Sequence, residues 1–304
     1  MERLDDLFLF AEVVQQTGFA AAARSLGMQR SKLSRRVAEL EERMGVRLLQ
    51  RNTRRVSLTT AGEQIYGHAC SLVHEARAAF NVAAEINGEP RGVLRLTCPA
   101  SFAAAALMPV VAEFCSQHPH LDVLVDTKYC QPDLIAGGFE LAFRVQTGPL
   151  QDSSLVARVV TDVPMMVAAS PDLLLVEQRA THPDQFAGQR ILAQSDQSGA
   201  KVLRFLHDEE GERSLEYSPR LVSGNIAVLQ AAAIAGIGIA CMPRYLCEDA
   251  LAAGKLVDAM AEQSGWRPEP AKMYAIMPAR QGVTLATRMF LEFALPKLAV
   301  ALRV

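Results

Sequence analysis

The chain has 304 residues, half of them apolar and 21% charged, with a formal net charge of −2. That length predicts two or three domains, and the composition is that of an ordinary globular protein. No run of 18 uninterrupted apolar residues exists, and Met1–Phe10 carries Glu2, Asp5 and Asp6 without a basic start and an apolar stretch, so neither a membrane span nor a secretory signal is expected and the reading is cytoplasmic. The charge is unevenly spread: residues 1–60 hold 11 Lys/Arg against 7 Asp/Glu, while the remainder holds 20 against 26. A small basic head on an acidic body suggests one local polyanion contact.

Taking the elements in chain order, Leu4, Leu7, Phe8, Phe10, Ala11 and Val14 recur at helical spacing and predict a first amphipathic helix. It stops near Thr17-Gly18, where the glycine is expected to take the left-handed conformation of a helix end. A short alanine-rich helix, Phe19 to Leu26, follows, Gly27 breaks the chain, and a third helix is predicted from Arg30 to Met44. In that third helix Leu33, Val37, Leu40 and Met44 form one stripe. Ser31 and Arg35 point away from it, flanked by Arg30, Lys32 and Ser34. Small hydroxyls permit close approach to a major groove, arginine pairs with guanine edges, and the cations neutralise phosphate. The residues alone therefore predict a helix-turn-helix, with a plain three-helix bundle as the alternative. Val46 to Leu49 and Val56 to Leu58 then read as a hairpin. Its tip carries Arg51, Arg54 and Arg55, suited to phosphate or the minor groove or simply to solvent.

Residues Phe10 through Gly62 resemble the LysR-type transcriptional regulators. The resemblance is carried by Ala20-Ala21-Ala22-Ala23-Arg24-Ser25-Leu26-Gly27, by Leu33-Ser34-Arg35-Arg36-Val37, by Leu40 to Leu49, and by Arg51, Arg54-Arg55 and Leu58-Thr59-Thr60-Ala61-Gly62. It implies a winged helix-turn-helix in which Arg30, Ser31, Lys32, Ser34, Arg35, Arg36, Arg51, Arg54 and Arg55 meet double-stranded DNA. Gln29 departs from the serine or threonine usual before the recognition helix, so a weak N-cap is expected there.

Thr60-Ala61-Gly62-Glu63 fits a capping box with Thr60 as N-cap, opening a helix that runs to about Ile86. Ile65, Leu72, Ala79 and Ile86 recur by sevens, and Ala69, Ala76 and Ala83 fall four after the first three. The seam suits pairing with a twin helix, or packing onto its own domain. The family resemblance favours the twin, and two-fold pairing would present two recognition helices to a pseudo-palindromic site. Relatives imply a homo-oligomer, dimer or tetramer.

From Gly92 strands and helices alternate, which predicts α/β layers with mostly parallel sheets. Val93–Thr97, Leu121–Val125, Phe139–Arg144, Val163–Ala168, Ile191–Ala193, Ile237–Ala240 and Met273–Met277 read as strands. Helices are expected at Phe102–Cys115 and Val283–Ala299. The region resembles the family's effector domain, similar to type 2 periplasmic binding proteins: two α/β lobes joined by two crossing strands around a ligand cleft. The expected division is 1–59 for the all-α winged helix-turn-helix, 60–88 for the linker helix and 89–304 for the effector domain. Lobe I takes 92–162 and 269–304, and lobe II takes 163–268. The resemblance rests on Gly137 to Arg144, with Glu140 where an aspartate is usual, on Asp152 to Arg158 and on Ala235 to Pro243.

A ligand in such sheets lies beyond the carboxyl ends of the strands. Ser101 and Phe102 follow the first strand at a helix start, where free N–H groups favour an anion. Asp126 and Thr127 end the next strand, Arg144 and Gln146 a third, Ser195 and Asp196 follow a lobe II strand, and Asn225 opens a lobe II helix. Ser101 and Asn225 also read as simple N-caps, and Arg144 as a structural ion pair. An organic acid is the expected effector, shared by Arg144 and the helix end. Cys98 and Cys130 lie beside the same predicted cleft, which leaves a response to an electrophile such as a quinone open.

No GxSxG, HExxH, P-loop or GxGxxG occurs, the six histidines are scattered, and no Cys/His set has zinc spacing. No catalysis, metal or cofactor is therefore expected. The runner-up reading is a small-molecule-binding protein whose N-terminal helices mediate protein contacts in place of DNA binding.

Overall fold

The structure, a computed structural model, describes residues 4–51, 56–86, 91–127, 134–148, 155–176, 179–195, 197–278 and 283–303. The N-terminal unit comprises α1 (Leu4–Gln15), α2 (Phe19–Ser25), α3 (Arg30–Met44) and the antiparallel pair β1 (Leu49–Arg51) and β2 (Val56–Leu58). Leu33, Val37 and Leu40 of α3 are buried against Leu9, Phe10 and Val13 of α1 and against Ala22 and Ala23 of α2. Burying each such aliphatic side chain contributes about 1.5–3 kcal/mol. Met44, expected in the same stripe, is 38% exposed; it is the last residue of α3, before the left-handed Gly45.

Two turns differ in detail from expectation. Between α1 and α2 the left-handed residue is Thr17 (φ 54°), while Gly18 is extended and serves as the N-cap position of α2. The turn between α2 and α3 does use glycine, Gly27 (φ 61°), where a Cβ would be strained.

A buried ion cluster fixes the recognition helix. Asp6 of α1 is fully buried and its two carboxylate oxygens accept from Arg36 and Arg43 of α3. The two arginines are seven residues apart, two turns along one side of α3. Between these arginines, near the C-terminal end of α3, Glu41 Oε1 accepts from the backbone N–H groups of Leu48 (2.7 Å) and Leu49 (3.0 Å), tying α3 to the wing.

The long helix α4 (Thr60–Ile86) is opened by Thr59 instead of Thr60: the Thr59 hydroxyl donates to Arg47 O (2.6 Å) and accepts from Gly62 N (2.9 Å). The predicted capping box is therefore not formed: with Thr59 as the cap, the third helical position is Gly62, which has no side chain to return the bond. Gly62 sits so close to the wing that a Cβ would lie 2.0 Å from Leu48 O. The first half of α4 packs on its own domain through Ile65, Tyr66, Ala69, Cys70 and Val73. Farther along, Ala76 and Ala79 are exposed. The expected seam therefore divides, its start being absorbed by the domain core.

Beyond α4 come β3 (Gly92–Thr97), α5 (Ala100–Phe102), a π turn (Ala103–Leu107), α6 (Met108–Gln117), β4 (Leu121–Asp126), α7 (Leu134–Gly137), β5 (Leu141–Gln146) and β6 (Leu155–Val163). Next are β7 (Met165–Ala169), α8 (Pro171–Val176), β8 (Ile191–Gln194), β9 (Lys201–His207), β10 (Gly211–Tyr217), β11 (Leu221–Ser223), α9 (Ile226–Ile234), β12 (Ile239–Pro243), α10 (Arg244–Ala252), β13 (Val257–Asp258), β14 (Arg267–Pro268), β15 (Ala271–Pro278) and α11 (Leu285–Ala301). Two five-stranded sheets result, ordered β4-β3-β5-β15-β6 and β11-β8-β12-β7-β13. Both are mixed: β3 runs parallel to β4 and β5, and β8 parallel to β11 and β12, but β15, β6, β7 and β13 pair antiparallel. The expectation of mostly parallel sheets missed these, since a strand crossing from one lobe to the other must enter its sheet reversed. The chain crosses at Pro164, between β6 and β7, and returns through Glu269-Pro270, between β14 and β15.

Alternation sorts each sheet's two faces. In β7, Met166 and Ala168 face α9 and α10, while Val167 and Ala169 join Phe186, Phe205 and Trp266 on the other side. In the first sheet Leu141 and Phe143 join the core under α6 and α11, and Ala142 the opposite face with Tyr274. Residues 100–117 are long and apolar enough by composition to cross a membrane. Here Phe102, Leu107, Val110 and Phe114 sit in that same core. Glu140 Oε2 accepts from the hydroxyls of Thr284 (2.9 Å) and Thr287 (2.6 Å) at the start of α11, which accounts for an acidic residue there.

Burial alone would raise the Asp6 pKa, but the hydrogen bonds from Arg43 and Arg36 outweigh it and hold the carboxyl below its ordinary value. A depressed folded-state pKa contributes stability that is present above the unfolded carboxylate range and lost as pH falls through it. Asp6→Asn is expected to destabilise the N-terminal unit by about 2–3 kcal/mol at neutral pH, short of the ~3–5 kcal/mol of a fully buried pair because both arginines reach solvent. Hydrogen exchange of the α1 and α3 amides should accelerate accordingly. Unchanged exchange would show that the cluster does not hold the helices together.

Candidate DNA interface and effector cleft

On α3 Ser31 and Arg35, opposite the buried stripe, are exposed, and so are Arg30 in the first turn and the flanking Lys32 and Ser34. Arg35 is 83% exposed and bonds only within its own helix, to Glu39 at 3.0 Å. Arg36 is placed differently. Its guanidinium, 24% exposed, turns to Asp6 and is part of the fold's ion cluster. Gln29 makes no side-chain cap, as its residue type led one to expect, so the first N–H groups of α3 remain free to donate to phosphate. Arg51 lies in β1, at the end of the wing, and Arg54 and Arg55 lie outside the described residues.

The second site is a cleft of about 610 Å³ between the two sheets, lined from both lobes. Four of the sequence-derived candidates line it: Ser101 and Phe102 from the start of the helical run, Gln146 from the end of β5, and Ser195 after β8. Phe102 is itself buried and stacks at a tilt on Phe143, with ring centroids 5.5 Å apart. The helical run begins behind Pro99, which supplies no side-chain cap, and its first backbone bond is Ala103 N to Pro99 O. The N–H groups of Ala100, Ser101 and Phe102 therefore donate to no described residue. The Ser195 hydroxyl accepts from Gln197 N at 3.1 Å.

Asp126, Thr127, Arg144 and Asn225 do not line the cleft. Asn225 is the N-cap of α9, its Oδ1 accepting from Ala227 N at 3.0 Å, while its neighbours Gly224 and Ile226 reach the cleft wall. Arg144 is half-buried across from Tyr274 in the β5–β15 pairing, and burial lowers its pKa. Asp196 and Cys130 lie outside the described residues.

The β9–β10 hairpin forms one wall of the cleft and was not singled out in the sequence. Lys201, Leu203 and Tyr217 from it face the cavity, together with Tyr245 and Leu246 of α10. A signal was available: Val202, Leu203, Phe205 and Leu206 make an apolar-rich run, and Asp208-Glu209-Glu210-Gly211 after it reads as a turn.

Comparison with known proteins agrees with this geometry. The family described as bacterial regulatory helix-turn-helix protein, lysR family, matches residues 4–63, and that described as LysR substrate binding domain matches residues 87–299. An HTH-type transcriptional regulator of Xanthomonas campestris pv. campestris is 32% identical over 298 residues, 97% of this chain and 85% of that protein. The regulator CrgA of Neisseria meningitidis serogroup C is 31% identical, covering 97% of this chain and 96% of that one. A solved structure of Neisseria meningitidis CrgA superposes with a TM-score of 0.57 at 30% identity, covering 98% and 99% of the two chains. The chain belongs to the LysR family. It is a DNA-binding transcription regulator with an effector-binding domain, and the alternative in which the N-terminal helices mediate only protein contacts is the weaker one.

Cys98 is buried, and burial with the nearby Asp126 charge pushes its thiol up to about 12. Cys241 lines the cleft, yet burial, with Asp258 and Cys247 adding, takes it to about 12 as well. The thiolate is the nucleophile, so a raised pKa makes these thiols inert at neutral pH. Iodoacetamide is expected to leave Cys98 and Cys241 unlabelled in the native protein near neutral pH and to label both after unfolding in urea. Rapid native labelling of Cys98, read by peptide mass spectrometry, would restore the electrophile response.

Proposed function

We propose that the exposed face of α3 enters the major groove, with Ser31, Ser34 and Arg35 toward base edges and Arg30 and Lys32 toward phosphate. The observation that carries this is the division of α3 into a buried stripe and an ion-paired edge on one side and an unburied basic face on the other. Arg51, Arg54 and Arg55 of the wing add backbone contacts. The exposed stretch of α4 around Ala76 and Ala79 pairs with a second copy, so that a dimer presents two recognition helices to a pseudo-palindromic site. The division into 1–59, 60–88 and 89–304 follows that assignment. The cleft holds an organic acid, supported by the free N–H groups behind Pro99 and by the lack of any carboxylate among its described lining residues. The chain acts in the cytoplasm, without catalysis, metal or cofactor, and the bound acid shifts the lobes to change its activity on DNA.

DNA retention measured against salt tests the reading. The logarithm of the affinity should fall linearly with the logarithm of salt concentration. Lys32→Ala should weaken binding uniformly across sequences and lower the slope by about one, while Arg35→Ala should relax preference at one base pair at a cost of about 1–3 kcal/mol. Retention that ignores salt and both substitutions would overturn the DNA assignment for α3.

A further inference from the structure

The described lining of the cleft contains one fully charged side chain, Lys201. It opens β9 and shares a face with Leu203 and Phe205, of which Phe205 is completely buried, so the alternation of the strand turns Lys201 inward. Across the hairpin it is paired with Tyr217, and Leu203 with Leu215. Lys201 is partly buried and forms no ion pair or hydrogen bond with any described residue, whereas the arginines beside it are paired: Arg213 with Asp184 at 2.8 Å, and Arg267 with Asp208 at 2.6 Å. A cation lining a cleft with no counter-charge among the described residues favours a ligand that brings a negative charge. Burial, with Cys241 adding, pushes the Tyr217 phenol up to about 12, so it stays protonated beside Lys201 as a neutral donor. The remaining wall mixes polar side chains, Ser101, Gln146, Gln194 and Ser195 among them, with Phe102 from one lobe and Tyr245 and Leu246 from the other.

We propose that Lys201 is the specificity-determining residue of the cleft, its ammonium taking the single carboxylate of an organic acid. Tyr217 donates to the same carboxylate, and the body of the acid lies on Phe102 and Tyr245. One full positive charge selects one full negative charge, so a monocarboxylate is preferred over its neutral amide. Lys201 belongs to lobe II, whereas the free N–H groups of Ala100, Ser101 and Phe102 belong to lobe I. An acid held by Lys201 and carrying an acceptor at its far end therefore bridges the lobes. Arg144, the cation that the sequence pointed to, stands outside this geometry. The inference rests on the cleft being the effector site.

The test is calorimetric titration of the full-length protein with benzoate as probe and benzamide as its neutral counterpart, alongside hexanoate and phthalate. Benzoate should bind and benzamide should bind at least about tenfold more weakly. Lys201→Met, which keeps the aliphatic stem, should weaken benzoate about tenfold or more, Lys201→Arg should retain most of the affinity, and Arg144→Ala should leave it unchanged. The hairpin is exposed along Val202 and Arg204, and Lys201→Gln provides a second neutral variant should the methionine disturb it. Benzoate binding equally to wild type and to the neutral variants, or benzamide matching benzoate, overturns the role of Lys201 while the cleft survives as a small-molecule site. Binding by none of the three acids overturns the organic-acid reading, and Lys201 falls with it.

Discussion

The buried carboxylate of Asp6 sets the geometry on which the N-terminal unit depends. A lone buried charge is costly, so it persists only with partners, and both partners come from one edge of α3. The consequence is rotational: with Arg36 and Arg43 drawn to α1 and with Leu33, Val37 and Leu40 in the core, α3 cannot roll. Arg30, Ser31, Lys32, Ser34 and Arg35 are thereby left on the outside. Basic residues of a single helix are split into structural and surface groups by what lies beneath them, and residue type alone does not separate them.

The same logic of paired and unpaired charge distinguishes the effector domain. Its outer ion pairs are exposed and contribute little to stability. Inside the cleft, the arrangement is unbalanced in favour of positive charge, through Lys201 and a helix start whose N–H groups have no cap. The lobes meet through two crossing segments, each with a proline, Pro164 and Pro270, which lack a backbone donor and mark where the sheet ladders end. Small changes in the angle between lobes are thus concentrated at two points, and a ligand contacting both walls is placed to bias them.

Much of this was legible from local pattern. Helical spacing located α1 to α4, alternation located the main strands, and the basic face of α3 followed from counting residues around a helix. The errors share a cause. Met44 and Thr17 were misjudged because burial and backbone twist at an element's end depend on where the neighbouring element stops. The cap of α4 moved from Thr60 to Thr59 because the wing brings Arg47 O within reach of the Thr59 hydroxyl. Arg144 stood at a strand end as expected, but the placement of the strands leaves it outside the described lining of the cleft.

What the sequence by itself determined was the order of elements, the family and the face of α3 that is basic, since these depend on the periodicity and chemistry of residues near one another in the chain. What only the tertiary structure decided was which cations are spent on the fold and which remain exposed or line the cleft. Asp6 and Arg36 lie thirty positions apart, and Lys201 reaches the cleft opposite Phe102, a hundred residues earlier. Contacts over such separations are set by packing, which no local pattern encodes.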